Sequence, residues 1–187
     1  MKTRRVPYAL AAAAIVAVAA AIELSMGRVP WCTCGYVKPW HGVVLSAENS
    51  QHLSDWYTPS HVIHGIGFYW LLWLGARRMP IGGRFLVAVL VEAAWEVLEN
   101  SPLIIDRYRA ATISLDYYGD SVVNSVSDMA AMMFGFWLAR RVPVWVSIVL
   151  VVAAELIVGV VIRDNLALNI IMLIHPVDAI KRWQMGA

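Results

Sequence analysis

Apolar and polar positions fall in long blocks along this chain, not in the short alternation of a water-soluble fold. Five blocks are dominated by apolar residues: Pro7 to Leu24, Thr58 to Ala76, Ile81 to Leu98, Ser121 to Ala139 and Val142 to Ile162. Each approaches the ~20 residues that a helix, rising ~1.5 Å per residue, needs to cross ~30 Å of hydrocarbon. The pattern predicts an all-α integral membrane helical bundle with five transmembrane helices. The first and last blocks are the cleanest. The middle three carry acids and histidines, so they must pack against one another and not face lipid. Beyond Arg163, Leu166 to Ile174 is apolar but too short to cross; Pro176 breaks it, and Lys181, Arg182 and Trp183 follow. This predicts a short C-terminal interfacial helix. Residues 1–187 read as one membrane domain, with 25–57 as the long loop.

Composition agrees. Of 187 residues, 60% are hydrophobic and 15% charged, with a mean hydropathy of +0.63; a soluble domain carries about 45–50% and about 25%. Disorder is excluded and a soluble enzyme disfavoured. The net charge of +2 is too small for a nucleic-acid binder, so no nucleic acid is expected as a partner. The basic residues matter through their placement. Lys2, Arg4 and Arg5 precede the first block, Arg77, Arg78 and Arg84 lie between the second and third, and Arg140 and Arg141 between the fourth and fifth. The opposite loops hold only Arg28 and Lys38, and Arg107 and Arg109. The positive-inside rule then sets the N-terminus in the cytoplasm, the C-terminus outside and loop 25–57 in the periplasm of a bacterial inner membrane. Basic residues before an Ala-rich run also describe a secretory signal, with Ala19-Ala20-Ala21 as cleavage site, but the length of the run suits an anchor better.

With that orientation the polar groups converge on one leaflet. At ~1.5 Å per residue, Glu96 and Asn124 lie ~6 Å below the outer surface, and Glu92, Asp128 and Glu155 ~12 Å below it. His61 and His64 occupy the first turns of the second block. Glu92, Glu96 and Asn100 form one helical stripe, which Glu99 joins; Asp120, Asn124 and Asp128 form another; His61 and His64 share a face. Three stripes at matching depth can line one pocket. Intramembrane acids cost about 2.5–3.5 kcal/mol each on insertion scales, so several together must be protonated, hydrogen-bonded or bound to a cation. Arg107 and Arg109 are candidate partners folding in from their loop. The outer loop adds His41, His52, Asp55 and an aromatic belt, with Ser60 or Thr58 as candidate helix caps and Pro59 in the first turn.

Three chemistries fit these residues. His61 and His64 with Glu96 offer imidazole and carboxylate ligands for a divalent metal such as zinc, with Glu96, Asp128, Asp120, Asn124 and Glu99 as acid–base or orienting groups. Paired carboxylates, Asp120 with Asp128 or Glu96 with Asp128, could share a proton and activate water. Nucleophilic Ser60, Ser121 or Ser125 near a histidine is the weakest. Around them stand His52, Asp55, Asn100 and Ser121 as pocket residues. Cys32 and Cys34, in an oxidising space, are either a loop staple or a soft-metal pair. The rival readings are a hydrogen-bonded network that fixes helix register, and a proton relay.

The motifs Trp31-Cys32-Thr33-Cys34-Gly35, Ser50-Gln51-His52, Asp55 to His61, His64-Gly65, Trp95-Glu96, Glu99-Asn100, Arg107-Tyr108-Arg109 and Gly119-Asp120-Ser121 through Asn124-Ser125 to Asp128 have a further meaning. Together they resemble an uncharacterised family of small multi-pass inner-membrane proteins of alphaproteobacteria, from about Pro30 to Asp128. A fainter likeness, over the third and fourth blocks, is to YjdF-like and VanZ-like membrane proteins; here Asn124 stands where an acid is often found. The resemblance implies an inner-membrane address and assigns no activity and no functional residue. The expectation is a His/carboxylate pocket at the periplasmic leaflet of a metal-dependent hydrolase or transferase, acting on lipid-linked envelope molecules, with membrane lipids and a lipid-linked substrate or envelope protein as partners. The alternative is a non-enzymatic scaffold or assembly protein, or a small transporter.

Overall fold

A computed structural model describes residues 8–112 and 114–186. The basic cluster Lys2, Arg4, Arg5 and the start of the first block at Pro7 lie outside the described residues. Among those described, regular structure is helical throughout: α1 (Tyr8–Ser25), α2 (Thr58–Gly75), α3 (Ile81–Glu99), α4 (Pro102–Ala111), α5 (Val122–Arg141), α6 (Val144–Ile162), α7 (Leu166–Ile174) and α8 (Asp178–Met185).

The five apolar blocks are helices α1, α2, α3, α5 and α6. Three of these, α1, α5 and α6, are long and apolar enough to cross a membrane, so the expected count of five becomes three on this measure. The reason lies in composition. Helix α2 opens on Thr58-Pro59-Ser60-His61 and carries His64, and α3 carries Arg84, Glu92 and Glu96 along its length. Two further expectations change. The loop between the third and fourth blocks contains a helix, α4, which Pro102 opens with its preset φ. The C-terminal segment forms two short helices where one was expected. Asn165 caps α7 by accepting from the Leu168 amide at 2.9 Å, and α8 follows Pro176. Glu155 of α6 holds this corner, its two oxygens accepting from the Leu166 and Ala167 amides at 3.1 and 3.0 Å.

The core is built where α2 meets α5 and α1 meets α3. Phe85, Ala88, Val89, Met132 and Phe136 are buried with Ala12, and Ala19, Ala93 and Met129 continue the seam toward the polar end. Helices α2 and α5 run parallel: Thr58 bonds Asp128 at one end, and Tyr69 stacks edge-on against Phe136 further along. Their approach is close enough to require two glycines. A Cβ on Gly65 would run into the Met132 carbonyl and the Phe136 amide, and a Cβ on Gly135 into the Val62 carbonyl. Small residues that let backbones meet are how helices associate without a hydrophobic drive between them.

The long loop after α1 also sets the site. The amides of Val122 and Val123, free donors of the first turn of α5, bond the carbonyls of Val29 and Pro30 at 2.9 and 3.1 Å. Ser121 caps the same helix by accepting from Asn124 N at 3.2 Å, and its own amide donates to Ser50 O at 3.0 Å. At α2 neither expected cap, Ser60 or Thr58, is used: the N-cap is Tyr57, with no side-chain cap bond, and the Asp55 carboxylate accepts from the Tyr57 amide at 2.7 Å in the turn before the helix.

Candidate functional site

The start of α2, the end of α3 and the start of α5 meet at one end of the bundle and bury a chain of titratable side chains. His61 is at its centre. Its Nδ1 lies 2.7 Å from Glu92 Oε1 and 3.3 Å from Glu96 Oε1, and its Nε2 lies 3.8 Å from Asp128 Oδ2. His64, one turn on, shares the same acid: its Nδ1 is 3.1 Å from both Glu92 oxygens. Glu92 is fully buried and lies between the two imidazoles. Asp128 is held by the Thr58 hydroxyl, which donates to Oδ1 at 3.1 Å.

A second group adjoins the first. Asn100 Nδ2 donates to Asp120 Oδ2 at 2.9 Å and to Ser125 Oγ at 3.2 Å, while Asn100 Oδ1 accepts from the Asp120 amide at 2.6 Å. The Tyr117 hydroxyl donates to Asp120 Oδ1 at 3.1 Å. Burial raises the Asp120 carboxyl to about 6, against the lowering pull of the Asn100 bond. Burial likewise raises Asp55, although the amides of Tyr57 and Ser50 donate to it. Together these walls enclose a cavity of about 320 Å³. Its polar side carries His61, His64, Glu92, Glu99, Asp120 and Asp128; its apolar side includes Phe68, Val91 and Trp95, closed by Leu166, Ile170 and Leu173 of α7. Among the described residues, neither Lys nor Arg lines it.

Two trios of this cluster have the geometry to hold a metal, each offering ligand atoms within 4.8 Å of one another: His61, His64, Glu92 and Glu96, Glu99, Asp120; two more such groups, both containing His52, lie in the loop after α1. The first suits zinc by donor type. A cation there would replace the protons shared between the two Nδ1 atoms and Glu92. It would leave His61 Nε2 on the side of Asp128, whose Oδ2 lies 3.8 Å away, a charge contact longer than a hydrogen bond.

The predicted residues separate accordingly. His61, His64, Glu96, Glu99, Asp120, Asn124, Asp128, Asn100, Ser60 and Ser121 lie in or against this cluster; Asn124 Nδ2 donates to His52 O at 2.8 Å, tying α5 to the loop. Glu92, on the stripe of Glu96, takes the position between the histidines, with Glu96 beside it. Arg107 and Arg109 are elsewhere: Arg107 donates to the carbonyls of Leu173 and Ile174, and Arg109 lies over the Tyr118 ring. His52 and Asp55 belong to the loop that supports the site. His52 Nδ1 accepts from the Lys38 amide at 3.2 Å, which leaves Nε2–H to donate to Glu48 at 3.0 Å. With Lys38 Nζ 2.6 Å from Glu48 and His52 alongside, the Glu48 carboxyl is lowered to about 2, so His41, Glu48 and His52 form a satisfied network. Cys32 and Cys34 are bonded to each other as a disulfide, which resolves the pair as a loop staple. Tyr108, which the sequence marked only within the Arg107-Tyr108-Arg109 motif, also lines the cavity; among those with no sequence signal are Tyr117 and the α7 side chains, which reach it only through the chain's return beyond α6.

The comparisons with known proteins agree on family and stop there. The family model described as "Protein of unknown function (DUF2585)" matches residues 23–186. A UPF0314 protein of Paracoccus denitrificans (strain Pd 1222) is 56% identical over 184 residues, covering 98% of this chain and 95% of that protein. The UPF0314 protein RL4541 of Rhizobium johnstonii is 57% identical over 173 residues, 92% of this chain and 89% of its own. The UPF0314 protein RHE_CH03951 of Rhizobium etli is 59% identical over 164 residues, 88% and 84%. No solved structure matches. An all-helical chain with three membrane-length apolar helices and a matched segment that contains the whole His/carboxylate cluster therefore belongs to the DUF2585 (UPF0314) family, whose proteins carry no assigned activity.

Proposed function

We propose that this protein is a multi-pass inner-membrane protein whose outer-leaflet pocket holds a divalent cation such as zinc and performs hydrolysis or group transfer on an amphiphilic, lipid-linked envelope molecule. One observation carries the reading: Glu92 joins both His61 and His64 in the wall of a cavity that is acidic on one side and apolar on the other. An open position on such a cation would take water, lower its pKa and make it a nucleophile. Asp128 adds a charge contact on the other imidazole nitrogen of His61, at 3.8 Å. The remaining carboxylates give the wall a negative field that retains cations and accepts protons. The apolar side, with α7 across it, suits a hydrocarbon chain.

Five spans, with the N-terminus in the cytoplasm, complete the reading. Helices α2 and α3 are too polar to qualify alone, yet their polar groups bond to one another inside the bundle, which offsets the cost of burial. Their outer faces carry Leu71, Trp73, Leu74, Leu90 and Leu98, exposed in the isolated chain as lipid-facing residues would be. Arg77 and Arg78 at one turn and Arg140 and Arg141 at another lie at the end away from the pocket.

The test is elemental analysis of detergent-purified protein beside His64→Ala and Glu92→Gln. Near-stoichiometric zinc, lost in both variants while melting and helicity persist, supports the cation reading and directs assays to envelope lipids. Metal-free wild type that remains folded would favour the structural network.

A further inference from the structure

The carboxylates beyond His61 outnumber any role as proton acceptors for one cation. Glu96, Glu99 and Asp120 each present an oxygen within 4.8 Å of the others, with no imidazole among them. Three anions so close repel strongly unless protons or a cation lie between them. Two further observations favour the cation. Glu96 is 1% exposed, and its Oε1 has no hydrogen-bond partner among the described residues, although it lies 3.3 Å from His61 Nδ1. A buried carboxylate oxygen without a hydrogen bond bears a desolvation cost that only the neighbouring imidazole offsets. Asp120, by contrast, is held from behind. Tyr117 bonds one of its oxygens and Asn100 the other, as outer groups hold a ligand. Among the described residues, the cavity wall offers no Lys or Arg to neutralise the cluster.

We infer that Glu96, Glu99 and Asp120 form a second cation site, distinct from the His61–His64–Glu92 trio and adjoining it through Glu96. Its all-oxygen donor set selects a hard divalent ion, magnesium or manganese, where the imidazole trio selects zinc. With both sites filled, the pocket presents two neighbouring cations in a cavity whose other fixed groups are chiefly anionic. Such a pair receives an anionic headgroup of the phosphate-ester class, which would otherwise meet only repulsion from this wall. The inference rests on the proposed function for the pocket's place in the membrane and its lipid-linked substrate; the second site is tested separately.

Manganese is the probe, titrated into detergent-purified full-length protein and followed by electron paramagnetic resonance, with zinc content measured on the same samples. Wild type should bind one manganese. Loss of even an outer partner costs about 10–100-fold in metal affinity, so Glu99→Gln, which replaces a half-buried ligand oxygen by an amide, should weaken manganese binding at least about tenfold with zinc content unchanged. His64→Ala should do the reverse, losing zinc and keeping manganese. Should Glu99→Gln fail to fold, Tyr117→Phe removes only the bond to Asp120 and should still weaken manganese binding. No manganese bound by folded wild type, or binding indifferent to Glu99→Gln and Tyr117→Phe, overturns the second site and leaves the zinc reading standing. Zinc absent with manganese present overturns the zinc reading instead.

Discussion

The crossing of α2 and α5 controls the site, and Gly135→Ala tests that control. The perturbation is one methyl group. Built at Gly135, it would collide with the Val62 carbonyl and its carbon, and Val62 adjoins His61. The obstacle is backbone, so no rotamer change relieves it and the helices must separate. Overpacking a tight contact costs about 1–3 kcal/mol, with the upper end expected when backbone must move. Replacing glycine by alanine inside a helix returns about 0.5–1 kcal/mol. The net is a loss of about 2 kcal/mol, which for a chain of this size lowers Tm by about 4–8 °C. Gly67→Ala is the internal control. It lies on α2, the helix that α5 packs against, and a Cβ there meets nothing within 4 Å, so only the helix gain applies and Tm should hold or rise. Thermal unfolding in detergent, read by helicity, measures both. Separation of α2 from α5 also pulls His61 from Asp128, so Gly135→Ala should bind zinc more weakly at temperatures where it remains folded. If Gly135→Ala and Gly67→Ala melted together, the argument that this close approach is part of the fold would be refuted.

Other expectations follow from the same geometry. Glu92→Ala leaves two imidazoles without their shared acceptor and should cost about 3–5 kcal/mol, as when one member of a buried pair is removed; a melt indistinguishable from wild type would count against the central place of Glu92. Asp164 ties α2 to α7 and α8, accepting from Tyr57, Asn169 and Gln184, and burial raises it to about 6. Its folded pKa exceeds the ~3.9 of an unfolded aspartate, so the folded state binds the extra proton and stability falls, by about 3 kcal/mol, as pH rises from about 4 to about 6. Above that window the effect is constant; Asp164→Asn should flatten this part of the stability–pH curve, and an unchanged slope would exclude Asp164 as its source. Reporter fusions test the topology: alkaline phosphatase should be active when fused after Tyr57 or after Met185, and a cytoplasmic fluorescent reporter after Met79 or Arg141. Protein denatured without reductant should resist alkylation, since Cys32 and Cys34 are its two cysteines and are bonded to each other; prompt labelling would place them in a reducing space.

Much of this arrangement was legible in the chain. The five apolar blocks became helices with ends displaced by a residue or two, because helix-length apolar runs bounded by Pro, Gly and Arg leave the backbone few alternatives. The acid stripes of α3 and α5 and the histidine pair of α2 followed from helical spacing. Their gathering at one end followed from chain direction, since successive helices joined by short turns reverse. Helix rotation lay outside that reasoning. Spacing puts Glu92 and Glu96 on one stripe, and only the packing of α2 against α3 puts Glu92 between the histidines and leaves a Glu96 oxygen without a hydrogen bond. The fate of Arg107 and Arg109 was equally hidden. They lie on α4, and its packing against α7 turns one to the Leu173 carbonyl and the other over Tyr118. The loop contacts that complete α5, Val29 and Pro30 on its amides and His52 on Asn124, join positions dozens of residues apart through backbone groups that every residue carries. The sequence thus determined which helices exist and at which end their chemistry collects, because local spacing and chain direction dictate both. The tertiary structure decided which acid meets which histidine, because rotation about a helix axis is set by packing along its whole length.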